Sequence, residues 1–250
     1  MELYGLLGYP LGHSFSASYF AEKFKREHIN AAYHNFEYST VEEAMQYLLA
    51  RPNLVGFNVT IPHKQNVLPY MTSLSPEAQA IGAVNVVCVR HQPNGQPILY
   101  GCNSDVIGFN NSIRPLLRPE VHKKALILGT GGASKAVMYG LQQLGITPIY
   151  VSRTPTEGRL TYNDLTPEIM NEYKVIVNCS PVGMYPKIDN CPSLPYECLT
   201  PDHLLYDLVY NPLETLFIKR GAEKGATVKN GLEMLHLQAD AAWQMWHQNV

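Results

Sequence analysis

The stretch that most constrains this chain is an apolar run that stops on glycines. Lys124-Ala125-Leu126-Ile127-Leu128 reads as a short buried strand; Gly129-Thr130-Gly131-Gly132-Ala133-Ser134 follows it, then a helix to Leu144 and a second apolar strand, Pro148 to Val151. Strand, glycine turn, helix and strand in this order make a βαβ unit of the length found in nucleotide-binding half-sheets. Glycines permit the tight turn and close backbone approach, and the helix start presents unpaired N–H groups to an anion. An ordinary tight turn would use glycine too, but the flanking strand and helix favour a dinucleotide pyrophosphate at residues Gly129 to Ser134. Ser134 stands where the G-x-G-x-x-G/A pattern has its last small residue.

The end of the second strand bears on which dinucleotide. A site for NAD usually places an acid about 20 residues on to hold the ribose 2′-hydroxyl, whereas NADP needs a cation for its 2′-phosphate. This chain has Ser152-Arg153-Thr154 there and no carboxylate. A guanidinium fork between two hydroxyls suits a phosphate, so NADP is expected, although a solvated loop arginine would look the same in sequence.

Around this unit, short apolar strands alternate with helical stretches, which predicts an α/β fold with largely parallel sheets. Strands are expected at Leu3–Gly8, Ala32–Tyr38, Leu54–Thr60, Val175–Val177 and Leu204–Leu208, and helices at Ala17–Glu27, Thr40–Ala50, Asp105–Leu117, Leu213–Lys224 and Leu232–His247. Thr40 with Glu43 forms a capping-box pattern, and Asn94-Gly95 between Val84–Val89 and Ile98–Cys102 reads as a hairpin turn. The pattern divides near residue 104 into two α/β domains, the second Rossmann-like.

Composition excludes several partners. With 19 Lys and Arg against 21 Asp and Glu, the chain of 250 residues has no basic surplus to follow nucleic acid or an anionic membrane. No apolar run reaches the length of a membrane span, and Met1-Glu2-Leu3-Tyr4-Gly5 lacks the basic start of a signal peptide. Five scattered cysteines without a C-x-x-C suit reduced thiols in the cytoplasm, and Cys191, Cys198 and His203 have poor spacing for zinc, so no metal is expected.

The first domain carries a polar constellation. In Leu54–Thr60 alternation sets Val55, Phe57 and Val59 on one side and Gly56, Asn58 and Thr60 on the other. Pro62 fits the first position of a helix, placing Lys64 in its first turn, where the positive dipole end disfavours an ammonium and makes a proton donor or acceptor of it. A surface lysine is the plain alternative. Asp105 reads as an N-cap that could also pair with a lysine. On the last helix Gln238 lies opposite the polar stripe of Glu233, Asp240, Gln244 and His247, and so needs a partner, either a backbone carbonyl or a bound polyol.

Together the blocks Gly8-Tyr9-Pro10-Leu11-Gly12-His13-Ser14-Phe15-Ser16, Asn58-Val59-Thr60-Ile61-Pro62-His63-Lys64, Gly82-Ala83-Val84-Asn85 and Gly101-Cys102-Asn103-Ser104-Asp105-Val106-Ile107-Gly108 resemble the shikimate dehydrogenase family. So do the glycine turn, Asn178-Cys179-Ser180-Pro181-Val182-Gly183-Met184, Asp207-Leu208-Val209-Tyr210-Asn211-Pro212 and Gly231-Leu232-Glu233-Met234-Leu235 through Gln238, in order along the whole chain. The resemblance implies a cytoplasmic enzyme of aromatic amino-acid biosynthesis, monomer or homodimer, that reversibly reduces 3-dehydroshikimate to shikimate with NADPH. It implies a substrate-binding domain, 1–104 completed by 232–250, an NADP-binding domain, 105–231, and a cleft between them. By family position Ser14 and Ser16 hold the substrate carboxylate, and Thr60, Asn85, Asp105 and Gln238 its ring hydroxyls, with Asn58 and Tyr210 nearby. Lys64 and Asp105 are the implied catalytic pair, Gly231 joins the cofactor set, and His13 and His63 are structural.

Three departures stand out. Ala17 replaces a usual proline, Ser104 a common threonine, and Glu157 occupies the neighbourhood of a second phosphate-binding arginine that Arg159 could replace. Alternatives are a quinate/shikimate dehydrogenase with relaxed NAD/NADP preference, a folate-type dehydrogenase, which the H-S-x-S block disfavours, and a catalytically silent NADP-binding regulator, against which Lys64 and Asp105 argue.

Overall fold

The computed structural model describes residues 1–12, 15–93 and 95–248. His13, Ser14 and the Asn94 half of the expected Asn94-Gly95 turn lie outside them. The chain forms two compact units, Met1–Ser104 with Ala239–Val250, and Asp105–Gln238. The division passes through the last helix, α8 (Leu232–His247), so Gln238 counts with the second unit.

In the first unit the strands are β1 (Glu2–Gly8), β2 (Ala31–Glu37), β3 (Leu54–Val59), β4 (Ser73–Leu74), β5 (Val86–His91) and β6 (Pro97–Cys102). Their order across the sheet is β2-β1-β3-β5-β6-β4. The sheet is mixed rather than largely parallel: β1 runs parallel to β2 and β3, but β5 is antiparallel to β3 and β6. A short hairpin connection allows only an antiparallel pair. Helix α2 (Val41–Leu49), capped by Thr40, packs with Leu48, Phe57 and Val59 on one side. Helix α1 (Phe15–Arg26) contributes Phe20 and Phe24 to a second cluster with Tyr4, Ala242 and Trp246. A short helix α3 (Pro76–Ile81) precedes β5.

The expected alternation of Val55, Phe57 and Val59 fails at its first member. Register between β1 and β3 shifts after Leu3↔Leu54, the next pair being Tyr4↔Gly56. Val55 is therefore the extra residue of a bulge, which reverses its side chain. Leu54 joins Phe57 and Val59 in their cluster, and Val55 packs on the side of Trp246.

A second expectation fails at Pro62. Residues 61–67 form consecutive turns rather than a helix, and only the 3₁₀ turn Leu68–Tyr70 follows. One α-type bond closes there, Val67 N–H to the His63 carbonyl, while His63 N–H and Leu68 N–H make tighter bonds three residues back. Without a run of α-type bonds no macrodipole develops, so the dipole argument for Lys64 does not apply.

The second unit has six strands, β7 (Lys124–Leu128), β8 (Thr147–Ser152), β9 (Leu160–Thr161), β10 (Val175–Asn178), β11 (Leu204–Asp207) and β12 (Thr227–Lys229). All pairs are parallel, in the order β12-β11-β10-β7-β8-β9. Numbered from β7, this is 3-2-1-4-5-6, the doubly wound order, with its reversal point between β7 and β10. Helices α4 (Asp105–Ile113) and α5 (Gly132–Gln143) cover one face with the start of α8; α6 (Pro167–Glu172) and α7 (Leu216–Glu223) cover the other. Leu126 and Leu128 face one cluster while Ala125 and Ile127 face the other, which is why the strand reads as a continuous apolar run. Helix α7 begins at Leu216, three residues later than Leu213, because Thr215 supplies its cap. Asp105 opens α4 as its first helical residue, one position inside the expected cap.

Candidate active site

In the first unit, a chain of side-chain hydrogen bonds joins five segments that are distant in sequence. The Tyr33 hydroxyl on β2 donates to Asn58 Oδ1 at 2.9 Å and bonds the Ser16 side chain on α1. Burial holds this hydroxyl above the usual tyrosine range, so it stays a donor. Asn58 Nδ2 donates to the Asn85 carbonyl at 3.2 Å. The Asn85 side chain donates to Ser104 Oγ at 3.1 Å and accepts Ser104 N–H at 2.7 Å. Ser16, Asn58 and Asn85 are thus gathered in one network, and Asp105 is the residue covalently following Ser104. Tyr33 was not legible as a member: its partners lie 17 and 25 residues away in sequence and on other elements.

Thr60 lies just past β3, its N–H bonded to the Leu7 carbonyl at 2.8 Å. Its methyl would lie 2.4 Å from a Cβ at Gly8, so glycine there makes room for it. Half-buried Lys64 accepts Val84 N–H at its carbonyl at 2.8 Å, tying the turn to the segment that carries Asn85. His63 is buried, with Nε2 2.7 Å from the Tyr38 carbonyl. That acceptor requires a proton on Nε2 and makes the ring a structural tie between the Lys64 turn and the end of β2.

In the second unit, the glycine turn sits at the reversal point, where ligands of open α/β sheets bind. Gly129 has φ +98°, a conformation side chains disfavour, and packs against Ser180: a Cβ on it would lie 3.3 Å from Ser180 N. Gly131 caps α5 without a side-chain hydrogen bond, and Cβ atoms on Gly131 or Gly132 would meet nothing within 4 Å. Backbone N–H groups at the start of a twelve-residue helix, with open space before them, fit a dinucleotide pyrophosphate. Thr130 is exposed and Ala133 half-buried beside them. Ser134 is different: it is fully buried, and its hydroxyl donates to the Gly131 carbonyl at 2.6 Å. It shapes the turn from inside rather than facing a ligand.

Arg153 and Thr154 are exposed at the end of β8; the Ser152 hydroxyl accepts Thr154 N–H at 3.1 Å and donates to its carbonyl at 2.8 Å, folding the backbone back beside Arg153. Arg159 stands 5.6 Å above the Tyr150 ring, just before β9, whose Thr161 pairs with Ser152. Tyr210 is exposed beyond β11. Gly231 donates N–H to the Val209 carbonyl at 3.2 Å, and a Cβ on it would sit 2.2 Å from the Leu208 carbonyl, so this glycine permits close backbone contact. Half-buried Gln238 packs on α4, its Cβ 3.1 Å from where one on Gly108 would lie. Among the described residues no cluster of metal-ligating side chains occurs, and no helix is long and apolar enough to cross a membrane.

Comparison with known proteins converges on one family. Residues 6–87 match the shikimate dehydrogenase substrate binding domain. A shikimate dehydrogenase (NADP(+)) of Caldanaerobacter subterraneus subsp. tengcongensis is 35% identical, covering 98% of this chain and 91% of the relative. The crystal structure of shikimate dehydrogenase from Aquifex aeolicus superposes with TM-score 0.85 at 33% identity, over 98% of this chain and 92% of that one. That of the Thermus thermophilus enzyme, in complex with NADP(H) and shikimate, gives 0.81 at 31% identity, over 99% and 94%. Matched over nearly its whole length, this chain belongs to the shikimate dehydrogenase family.

Proposed function

We propose that this chain is an NADP-dependent oxidoreductase that reversibly reduces 3-dehydroshikimate to shikimate in the pathway to aromatic amino acids. The observation that carries the reading is the Ser16–Tyr33–Asn58–Asn85–Ser104 network, a run of neutral donors and acceptors suited to a small polyhydroxylated acid. It lies almost wholly within the stretch matched to a substrate-binding domain. Ser14 and Ser16 hold the carboxylate, and Thr60, Asn85, Asp105 and Gln238 the ring hydroxyls, with Asn58 and Tyr210 beside them.

When bound, NADPH supplies hydride to the ketone carbon. Gly131 and Gly132 would hold its pyrophosphate on their backbone N–H groups, with Gly129, Thr130 and Ala133 in the same turn, and Arg153 with Ser152 and Thr154 would hold the 2′-phosphate. Gly231 serves by close backbone packing and Ser134 by the hydroxyl that holds the turn from inside. As charge builds on the ketone oxygen, Lys64 delivers a proton to it or stabilises the charge, and Asp105 orients the ammonium. Alignment of the two reactants supplies the larger part of the acceleration. The first domain (1–104, completed by 232–250) is assigned to substrate and the second (105–231) to cofactor. All five cysteines are free thiols, which agrees with a reducing cytoplasm.

The test is absorbance at the reduced-nicotinamide band with purified protein, shikimate and either NADP or NAD, and again with quinate. Reduction of NADP by shikimate, faster than of NAD and faster than with quinate, is the expected result. No reduction with either cofactor would overturn the assignment and favour a silent cofactor-binding protein.

A further inference from the structure

Two residues that the proposed chemistry leaves unused end neighbouring strands, the first of which borders the reversal point. Asn178 closes β10 and Asp207 closes β11; they are register partners, and both are fully buried. Asp207 Oδ1 accepts from Asn178 Nδ2 at 2.9 Å and from Val209 N–H at 3.0 Å, and Oδ2 accepts from the Thr215 hydroxyl at 2.6 Å. An ionised carboxylate only accepts, so the Asn178 amide must turn its NH₂ toward Asp207. Its oxygen then faces the next loop, where it accepts Ser180 N–H at 3.1 Å and the Ser180 hydroxyl at 2.7 Å. Ser180 is the residue against which Gly129 is seated.

We propose that Asp207 is a positioning residue for the dinucleotide: through Asn178 and Ser180 its carboxylate fixes the wall on which the Gly129–Gly132 turn rests. This deepens the reading of that turn as the cofactor site and rests on it. Reversing the Asn178 amide would set its NH₂ against the Ser180 N–H and its oxygen against the Asp207 carboxylate, so the relay is held in one sense from both ends. Burial lifts the Asp207 carboxyl to about 6, even against three donors. It is therefore charged at neutral pH and takes up a proton just below; on Oδ1 that proton faces the Asn178 and Val209 donors, and on Oδ2 it requires the Thr215 hydroxyl to turn from donor to acceptor. The other groups near it are the Cys179 thiol and the Tyr196 hydroxyl, both raised by burial, with Arg220 5.1 Å above the Tyr196 ring.

The experiment titrates NADPH into wild type, Asp207→Asn and Ser180→Ala between pH 5.5 and 8, by nicotinamide fluorescence, with KM and kcat measured alongside. The expected result is a tenfold or greater loss of NADPH affinity in Asp207→Asn and a several-fold loss in Ser180→Ala, with the KM for shikimate within twofold of wild type. Wild type also loses affinity on acidification more steeply than Asp207→Asn does. The 2′-phosphate of the cofactor titrates in the same range, but equally for both proteins, so the difference belongs to residue 207. Unchanged NADPH affinity in a folded Asp207→Asn overturns the inference, and if that variant does not fold, unchanged affinity in Ser180→Ala does so. A wild type that binds neither NADPH nor NADH overturns the cofactor reading and this inference together.

Discussion

Replacing Gly56 by alanine should destabilise the first unit selectively, and its size can be worked from the contacts. Gly56 lies on β3, and a Cβ there would fall 2.3 Å from Trp246 Cδ1, 2.4 Å from its Nε1 and 2.7 Å from the Val87 carbonyl oxygen. The carbonyl belongs to β5 and is held by the sheet, so the indole must move. Trp246 is 1% exposed and ringed by Tyr4 and Phe20 with centroids at 4.8 and 5.3 Å, which leaves it nowhere to go without strain. Its Nε1 also donates to the Val87 oxygen at 3.1 Å, a bond the displacement breaks. Overpacking costs about 1–3 kcal/mol and stranding a buried donor about 1–3 kcal/mol, so Gly56→Ala should cost roughly 2–6 kcal/mol. The assay is urea unfolding followed by tryptophan fluorescence. The chain's two tryptophans, Trp243 and Trp246, both lie in the first unit, so the signal reports that unit. Adding Trp246→Phe relieves the clash, and the double mutant should be more stable than the sum of the singles requires by about 1–2 kcal/mol, a coupling ordinary for residues in contact. A Gly56→Ala protein within about 0.5 kcal/mol of wild type, the scatter of neutral surface substitutions, would refute the packing argument.

Lys64→Ala should lower kcat about 10²–10⁴-fold, the range of a lost general acid, while leaving the KM for shikimate within a few-fold; near-normal kcat in steady-state assays would remove lysine from the chemistry. Arg153→Ala should raise the KM for NADP by at least tenfold and leave that for NAD almost unchanged, and equal effects on both would defeat the phosphate assignment. Burial holds His122 and His203 below the ordinary histidine value. As pH falls through 6.5 the unfolded chain takes up protons the fold refuses, so stability should drop by up to about 1.4 kcal/mol per pH unit for each histidine. Asp207 runs the other way: its folded value of about 6 exceeds 3.8, so it restores stability as pH falls below 6. Urea midpoints by far-UV circular dichroism at pH 7.5 to 5 should therefore fall and then level, and His203→Gln should flatten the fall; a midpoint that rises from pH 7.5 to 6.5 would contradict the sign.

What was legible in the sequence follows from which residues had alternatives. The strands β7, β10 and β11 are buried on both faces, so they appear as unbroken apolar runs, and the glycine turn after β7 has few other uses. The short elements β4, β9, β12, α3 and α6 were not legible, because two to six residues carry too little periodicity to separate from loop. Proline at a helix start shows how near the signal was. Ser75 before Pro76 accepts Ala78 N–H at 3.1 Å, and Thr166 before Pro167 accepts Ile169 N–H at 3.4 Å; both prolines open helices. Ile61 before Pro62 has no side-chain acceptor to offer, and turns follow. A proline predicts a helix start only when the residue before it can cap.

The same reasoning separates the candidate site into a readable and an unreadable half. A residue that acts through its backbone, such as Gly129, is visible because few residues but glycine tolerate the required φ. Residues that act through side chains on crossing elements are visible only as polar letters at the ends of apolar runs: Asn58 near the end of β3, Asn178 closing β10, Asp207 closing β11. Burial of a polar side chain costs about 1–3 kcal/mol when its partners are missing, so such a letter means that a partner waits elsewhere in the fold, without saying where. For Asn58 the partner is Tyr33, for Asp207 it is Thr215 with Asn178 and Val209. Ser134 belongs to the same class. Its departure from the glycine fingerprint is offset within one turn by its bond to the Gly131 carbonyl, while Tyr150 reaches its own carbonyl at 3.4 Å. The substitution therefore changes the interior of the turn and leaves the open side, at Gly131 and Gly132, as a dinucleotide needs it.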